Sequence, residues 1–209
     1  MGVGSLDFHT QGQGSGFPGT SSIHEAAGRI GALPSTIKPL ALTMTLAGPA
    51  LPVRCPPGDN LWIHRAMIEA RPGEVLVVDC GGGGEFGYWG EIMATSGITV
   101  GLGGLVITGG VRDSLALIEL GLPTFCGRVC IQGTGKDPNG DGAVGEPIRI
   151  GNVTVRRGDL VVGDADGVMS LCADVADGFV AAARARERKE AEILQRVRAG
   201  EPTLDVYNL

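Results

Sequence analysis

The sequence predicts one α/β domain closed by a long helical arm. Three observations predict it. Short apolar runs bounded by glycine and proline alternate with stretches of helical apolar spacing. Hydrophobic residues make up 43% of the 209-residue chain but aromatics only 4%, so the core must be built from Val, Ile, Leu and Ala. Finally, residues 173–199 run as one long helical pattern, with Phe179, Val180, Ile193, Leu194 and Val197 as an inward stripe and charges of both signs elsewhere. The division expected is a Gly/Ser/Gln-rich flexible tail (1–20), an α/β domain (21–172) and a C-terminal helical arm (173–209).

Taken in order, a first helix is expected over residues 22–30, with Thr20, Ser21 or Ser22 as its cap and Gly31 as its stop. Residues 37–47 read as extended and broken by prolines, ahead of a turn at Pro56-Pro57-Gly58. Asp59 or Asn60 caps a second helix over 61–70. Residues 74–79 form a buried strand, 80–87 a glycine loop, and 90–96 the start of a helix. A second buried strand at 105–108 runs through Gly109-Gly110 to Arg112-Asp113, after which 114–120 is helical. Strands follow at 123–126, 147–155, 159–162 and 168–172, with a polar loop at 133–145.

Composition excludes several function classes. A formal net charge of −6 argues against nucleic acid as a partner. No apolar run approaches the roughly 18–20 residues of a membrane span, and no basic-then-apolar leader is visible. The five cysteines (Cys55, Cys80, Cys126, Cys130, Cys172) are odd in number and mostly sit in apolar runs, so they read as reduced core residues of a cytoplasmic protein, and no second Cys/His pair completes a zinc site beside Cys126 and Cys130. Several short patterns fail on their context. Residues 82–87 match a dinucleotide fingerprint, but no acidic residue ends the next strand. Gly133-Thr134-Gly135-Lys136 lacks the leading glycine of a phosphate loop. Residues 137–142 match half of a calcium loop, with Ile148 where its last carboxylate belongs. His9, His24 and His64 are scattered, which leaves a Ser or Cys triad unsupported. The three lysines (Lys38, Lys136, Lys189) lie outside apolar strands, which disfavours Schiff-base chemistry.

One constellation survives. Arg112 and Asp113 follow a buried strand at its carboxyl end, where ligands of open α/β proteins bind. Arg presents a fork for a substrate carboxylate, and Asp is a hard ligand suited to a cation that keeps most of its water. The bland alternative is an N-cap Asp beside a surface Arg. Gly90-Glu91-Ile92-Met93 opens a neighbouring helix whose free N–H groups can receive an oxo or carboxylate oxygen, and Glu91 adds a second acid. Together these are the parts needed to polarise a 2-oxo acid and stabilise an enolate.

With these residues, the chain resembles the 4-hydroxy-4-methyl-2-oxoglutarate/4-carboxy-4-hydroxy-2-oxoadipate aldolase family, which shares its fold with the regulator of ribonuclease activity RraA. The likeness runs from about Ser22 to Tyr207. It is carried by Trp89-Gly90-Glu91-Ile92-Met93-Ala94, by residues 101–113 (GLGGLVITGGVRD), by 158–168 (GDLVVGDADGV) and by 199–207 (AGEPTLDVY). The resemblance implies an RraA-like αββα sandwich with a C-terminal helical arm, assembled as a homotrimer or homohexamer, acting on a small oxo-acid substrate. It implies that Arg112 holds the substrate carboxylate, that Asp113 binds Mg2+ or Mn2+ directly, and that the Gly90–Met93 backbone cradles pyruvate. Glu91 would order water around the metal. Glu190, or else Glu187, of a neighbouring subunit's arm would join the metal's outer shell. Thr108 departs from the family, where many relatives carry Asp. The rival function is a non-enzymatic regulator that binds a ribonuclease or another protein.

Overall fold

The computed structural model describes residues 16–82 and 84–209; the first fifteen residues of the expected tail, and Gly83, lie outside the described residues. The architecture turns on strand β2 (Leu46–Arg54), which changes partner along its length. Residues 46–49 pair antiparallel with β10 (Leu160–Asp164), whereas residues 50–54 pair parallel with β3 (Val75–Asp79). Beyond β3 the sheet continues in parallel through β5 (Gly104–Val111) and β6 (Thr124–Val129). Beyond β10 it ends on antiparallel β11 (Gly167–Leu171). Three short strands join this path: β1 (Lys38–Pro39) on β6, β4 (Gly87–Trp89) on the last residues of β5, and β7 (Ala143–Val144) on β2. A hairpin, β8 (Ile148–Ile150) and β9 (Val153–Val155), stands apart from the sheet.

Alternate strand residues face opposite ways, and here that separates three cores. Leu51, Val53, Leu76, Val78, Leu105 and Ile107 pack against helices α2 (Leu61–Glu69), α3 (Glu91–Thr99) and α4 (Ser114–Leu120). Ala50, Val75, Val77, Val106 and Phe125 pack instead against Val161, Val168 and the hairpin residues Ile148, Ile150 and Val155, so the sheet is folded against itself. Leu160, Val162, Met169 and Leu171 meet α1 (Thr20–Ala26) and α5 (Ala173–Arg198). The layers therefore run helix, sheet, sheet, helix, the αββα order that the resemblance implies, and α5 is the C-terminal helix. Among the described residues no helix is long and apolar enough to cross a membrane.

The differences from expectation have physical reasons. Helix α1 starts at Thr20 and ends by Ala27, because distant carboxylates cap it instead of its own Ser and Thr side chains. Asp164 accepts from Thr20 N and Thr20 Oγ1, both at 2.7 Å, and Glu187 accepts from Gly19 N at 2.8 Å. With Arg184 donating to Gly16 O, these bonds tie residues 16–20 to the domain. The extended stretch expected to end at residue 47 continues to Arg54, and β2 runs straight through Pro49 and Pro52. Pro49 is the last residue paired with β10, so its missing N–H falls where the strand changes neighbours. Strands β4 and β7 and helix α6 (Thr203–Tyr207) were too short to show a period. On α5 only Ala176, Val180 and Ala183 are buried, whereas Ile193 and Val197 are half-buried and Leu194 is exposed. Its second half extends beyond α1 and meets α6.

Asp164 also accepts from Asp166 N at 2.9 Å, so one carboxylate serves both the start of α1 and the turn between β10 and β11. Asp164→Ala is expected to lower unfolding free energy by about 1–2 kcal/mol in urea denaturation. A change within error would mean that solvent replaces these bonds at no cost.

Candidate functional site

Two strand-to-helix turns meet at the carboxyl edge of the sheet. β5 passes into α4 through Arg112 and Asp113, and β4 passes into α3 through Gly90. Arg112 N donates to Trp89 O at 2.8 Å, which fixes one turn against the other. Asp113 has φ 57° and ψ 38°, the left-handed conformation that Asp tolerates better than most residues. It stands where an N-cap would stand, yet its side chain makes no capping bond to α4. Its Oδ2 instead accepts from Glu91 N at 3.0 Å, across the gap between the turns. Asp113 therefore serves the first N–H of α3 and not its own helix α4.

Arg112 lies beside this carboxylate, with Nε 3.9 Å from Asp113 Oδ2 and both side chains a little under half exposed. Its stem runs over glycines. A Cβ on Gly90 would come within 2.4 Å of Asp113 Oδ2 and 3.1 Å of Arg112 Cγ. One on Gly87 would meet Cys130 O at 2.3 Å and Arg112 Cβ at 3.2 Å. At the outer end, a Cβ on Gly133 would lie 3.6 Å from Arg112 Nη1. The groove therefore depends on absent side chains as much as on present ones.

Helix α3 supplies the opposite wall. Met93 is buried and anchors the first turn, whereas Glu91 is exposed and Ile92 is 82% exposed. The first N–H groups of a helix have no acceptor within it. Ala94 N reaches Gly90 O and Glu91 N is taken by Asp113, which leaves the amides of Ile92 and Met93 to receive an anionic or carbonyl oxygen. The structure thus brings Gly90, Glu91, Ile92, Met93, Arg112 and Asp113 together. It does not bring Glu187 and Glu190 to them: Glu187 is engaged with Gly19, and Glu190 pairs with Arg186 at 2.8 Å. Sequence reasoning missed Gly87 and Gly133 as parts of the groove. Their signal was glycine at the edge of an element next to the Arg, which cannot be read without knowing what crosses it.

Other chemistries find no support. Burial pushes the thiols of Cys55 and Cys126 up to about 12 and about 11, and that of Cys80 further, so none of these is a thiolate nucleophile. Lys38 is exposed and donates to Asp166 O. In the polar loop Arg54 grips both oxygens of Asp141 (3.0 and 3.2 Å) and holds its carboxyl below the usual range, so Asp141 serves an ion pair and not a cation. Thr108 Oγ1 accepts from Cys80 N at 2.9 Å and lies 3.4 Å from Asp79 Oδ1, which places it at the end of β3.

No group of three or more His, Cys, Asp or Glu side chains among the described residues could enclose a metal ion. Asp113, exposed and oriented by Glu91 N, is a carboxylate of the kind that a hard cation such as Mg2+ or Mn2+ takes alongside retained waters.

A family model described as RraA-like, Aldolase/RraA, matches residues 20–170. A protein of Halalkalibacterium halodurans, provisionally named a 4-hydroxy-4-methyl-2-oxoglutarate aldolase, is 40% identical over 149 residues, 71% of this chain and 70% of that one. The crystal structure of an uncharacterized protein from Pseudomonas syringae superposes with a TM-score of 0.78 at 26% identity, covering 91% of this chain and 89% of that one. The RNA-processing inhibitor RraA from Thermus thermophilus superposes at 0.66 with 27% identity, over 73% and 92% respectively.

Gly90 has an ordinary extended backbone (φ −147°), so Gly90→Ala tests the groove without straining the chain. The added methyl displaces the Asp113 carboxylate. Mn2+ affinity measured by calorimetry should fall by roughly ten- to a hundredfold, with thermal unfolding little changed. Unaltered affinity would separate the groove from metal binding.

Proposed function

The chain belongs to the RraA-like (Aldolase/RraA) family, and from that premise we propose that it is a divalent-metal-dependent aldolase. It cleaves a 4-hydroxy-2-oxo acid, such as 4-hydroxy-4-methyl-2-oxoglutarate or 4-carboxy-4-hydroxy-2-oxoadipate, to pyruvate and a second oxo acid. One observation carries the reading: Asp113 adopts a left-handed backbone that turns its carboxylate away from its own helix, onto Glu91 N and beside Arg112.

In this reading Arg112 grips the C1 carboxylate of the substrate through its two-pronged guanidinium. The amides of Ile92 and Met93 fix the same end of the molecule, so the bond between C3 and C4 is held in one orientation. Asp113 would hold Mg2+ or Mn2+, which when bound supplies Lewis-acid polarisation of the 2-oxo group. Glu91, at the rim, holds a water through which the proton of the 4-hydroxyl departs. As that proton leaves, the C3–C4 bond breaks and its electron pair becomes the enolate of pyruvate. Protonation at C3 completes the product. Oxaloacetate loses CO2 to the same enolate and is the expected side substrate.

The working unit is proposed to be a cytoplasmic homotrimer or homohexamer, in which Glu190 of a neighbouring arm approaches the metal's outer shell. Glu187 is the second choice; within its own chain Glu187 accepts from Gly19 N and Glu190 pairs with Arg186. The likeness to the Thermus thermophilus RNA-processing inhibitor RraA supports one other reading, a protein-binding regulator with no turnover.

The deciding experiment measures pyruvate release, coupled to NADH oxidation by lactate dehydrogenase, from both aldols and from oxaloacetate. Turnover is expected with Mg2+ or Mn2+ and is lost in EDTA. Asp113→Asn keeps a residue that accepts left-handed backbone, and Arg112→Lys keeps the charge but not the fork. Each should lower kcat/KM by roughly a thousandfold or more with the circular dichroism spectrum unchanged. Turnover that persists in EDTA or in either variant would defeat the aldolase reading. Absence of release from all three substrates with metal present would favour the regulator.

A further inference from the structure

The turn between β2 and α2, Gly58-Asp59-Asn60, lies outside the groove yet bonds to both segments that wall it. Towards β4, Gly58 N donates to Tyr88 Oη at 2.7 Å and Asn60 Nδ2 donates to Tyr88 O at 2.8 Å. Tyr88 immediately precedes Trp89, whose O accepts from Arg112 N, and lies three residues before Glu91, whose N donates to Asp113 Oδ2. Towards the segment that follows β6, Gly135 N donates to Gly58 O at 2.7 Å and Asn60 N donates to Gly135 O at 3.2 Å. Gly133, two residues earlier, flanks Arg112 Nη1.

The carboxylate of Asp59 closes this arrangement. It is 6% exposed; Oδ1 accepts from Leu61 N at 2.7 Å and Oδ2 accepts from Asp137 N. A buried acid needs donors on both oxygens, and here one is the first turn of α2 while the other is the polar loop. Further along, Arg65 donates to Pro138 O and Trp62 Nε1 to Gly140 O, so the loop lies along α2. The Asp59 carboxylate holds Asp137, and the backbones of Gly58 and Asn60 hold Gly135, two residues from the Gly133 that adjoins Arg112.

We propose that Asp59 is a positioning residue: it clamps residues 133–137 to the start of α2 and so holds Gly133 against Arg112, which aims the guanidinium at the substrate carboxylate. The inference rests on the proposed role of Arg112 in gripping that carboxylate, but the clamp itself can be measured without turnover. Asp59→Asn removes one acceptor and places an NH2 against a backbone N–H, which no rotamer relieves. The Asp137 end of the clamp is released, while the backbone bonds of Gly135 and the packed core stay in place.

The test compares full-length wild type, Asp59→Asn and a control, Asp159→Asn. Asp159 is also a buried acid that accepts a backbone N–H, from Arg156, but it lies in the turn between β9 and β10. In Asp59→Asn, amide hydrogen exchange over residues 133–139 is expected to quicken by roughly tenfold or more, with β3 and β5 unchanged. The dissociation constant for oxalate, a planar dicarboxylate shaped like pyruvate enolate, should rise by roughly ten- to a hundredfold in the presence of Mn2+. In turnover, a misdirected carboxylate grip raises KM more than it lowers kcat. Asp159→Asn should leave exchange at 133–139, oxalate affinity and KM at wild-type values.

Unchanged exchange over 133–139 overturns the clamp, and quickened exchange with unchanged oxalate affinity overturns the positioning role. An equal loss of oxalate affinity in both variants assigns the effect to general destabilisation and also overturns it. A wild type that binds oxalate but turns over no substrate defeats the aldolase reading alone, and the exchange and titration still decide the clamp.

Discussion

The bond from Glu91 N to Asp113 Oδ2 joins two pieces of chain just beyond the point where β4 and β5 stop pairing. One is the passage from β4 into α3, the other the passage from β5 into α4. Arg112 N on Trp89 O closes the same junction from the backbone side. Everything proposed for the site follows from this pairing. It lifts the Asp113 carboxylate off its own helix, brings it beside Arg112, and leaves the next two amides of α3 facing the groove. A left-handed Asp costs on the order of 1 kcal/mol, and the charge-assisted bond to a helix N-terminus offsets that cost.

The groove is built mainly of backbone. Gly87, Gly90 and Gly133 let the stem and head of Arg112 lie against main chain, and the α3 amides present donors that no side-chain motif records. This arrangement suits a small oxo acid, whose recognition needs a cation grip and two or three N–H groups in fixed places more than a deep apolar pocket. It also accounts for the glycine content around β4 and β5. Gly109 lies against Tyr88 and Cys80, and Gly110 against Phe86 O, at distances that exclude a Cβ. Glycine there measures how closely the strands and turns are pressed together.

Much of this was legible in the sequence. Arg112 and Asp113 stood out because a buried apolar strand ran into them through two glycines, and Gly90–Met93 because a helix began after a glycine loop. The α/β class and the long C-terminal helix followed from short apolar runs alternating with helical spacing, whereas the αββα layering was implied by the resemblance. Local reasoning failed where distant groups took over local roles. Thr20, Ser21 and Ser22 looked like caps for α1, but Asp164 and Glu187 do that work from the far half of the chain. Asp59 was read as a simple cap candidate for α2, and its side chain does accept from Leu61 N. Its second bond, to Asp137 N, depends on a loop whose course no sequence period announces.

The change of partners along β2 has a bearing on how the chain is made. The second half of β2 can pair with β3 soon after both leave the ribosome, and β5 and β6 can extend the sheet while α2, α3 and α4 cover one face. The first half of β2 pairs with β10, which is synthesised much later. Until then the strand edge is bare and the face carrying Val75, Val77, Val106 and Phe125 is in water, because Val161 and Val168 do not yet exist. The nascent protein therefore passes through a stage with its site-forming turns drafted but half of its core open, and during that stage a chaperone or a second nascent copy competes with the chain's own C-terminal strands. A message cut short before β10 encodes an aggregation-prone sheet and not a smaller working domain.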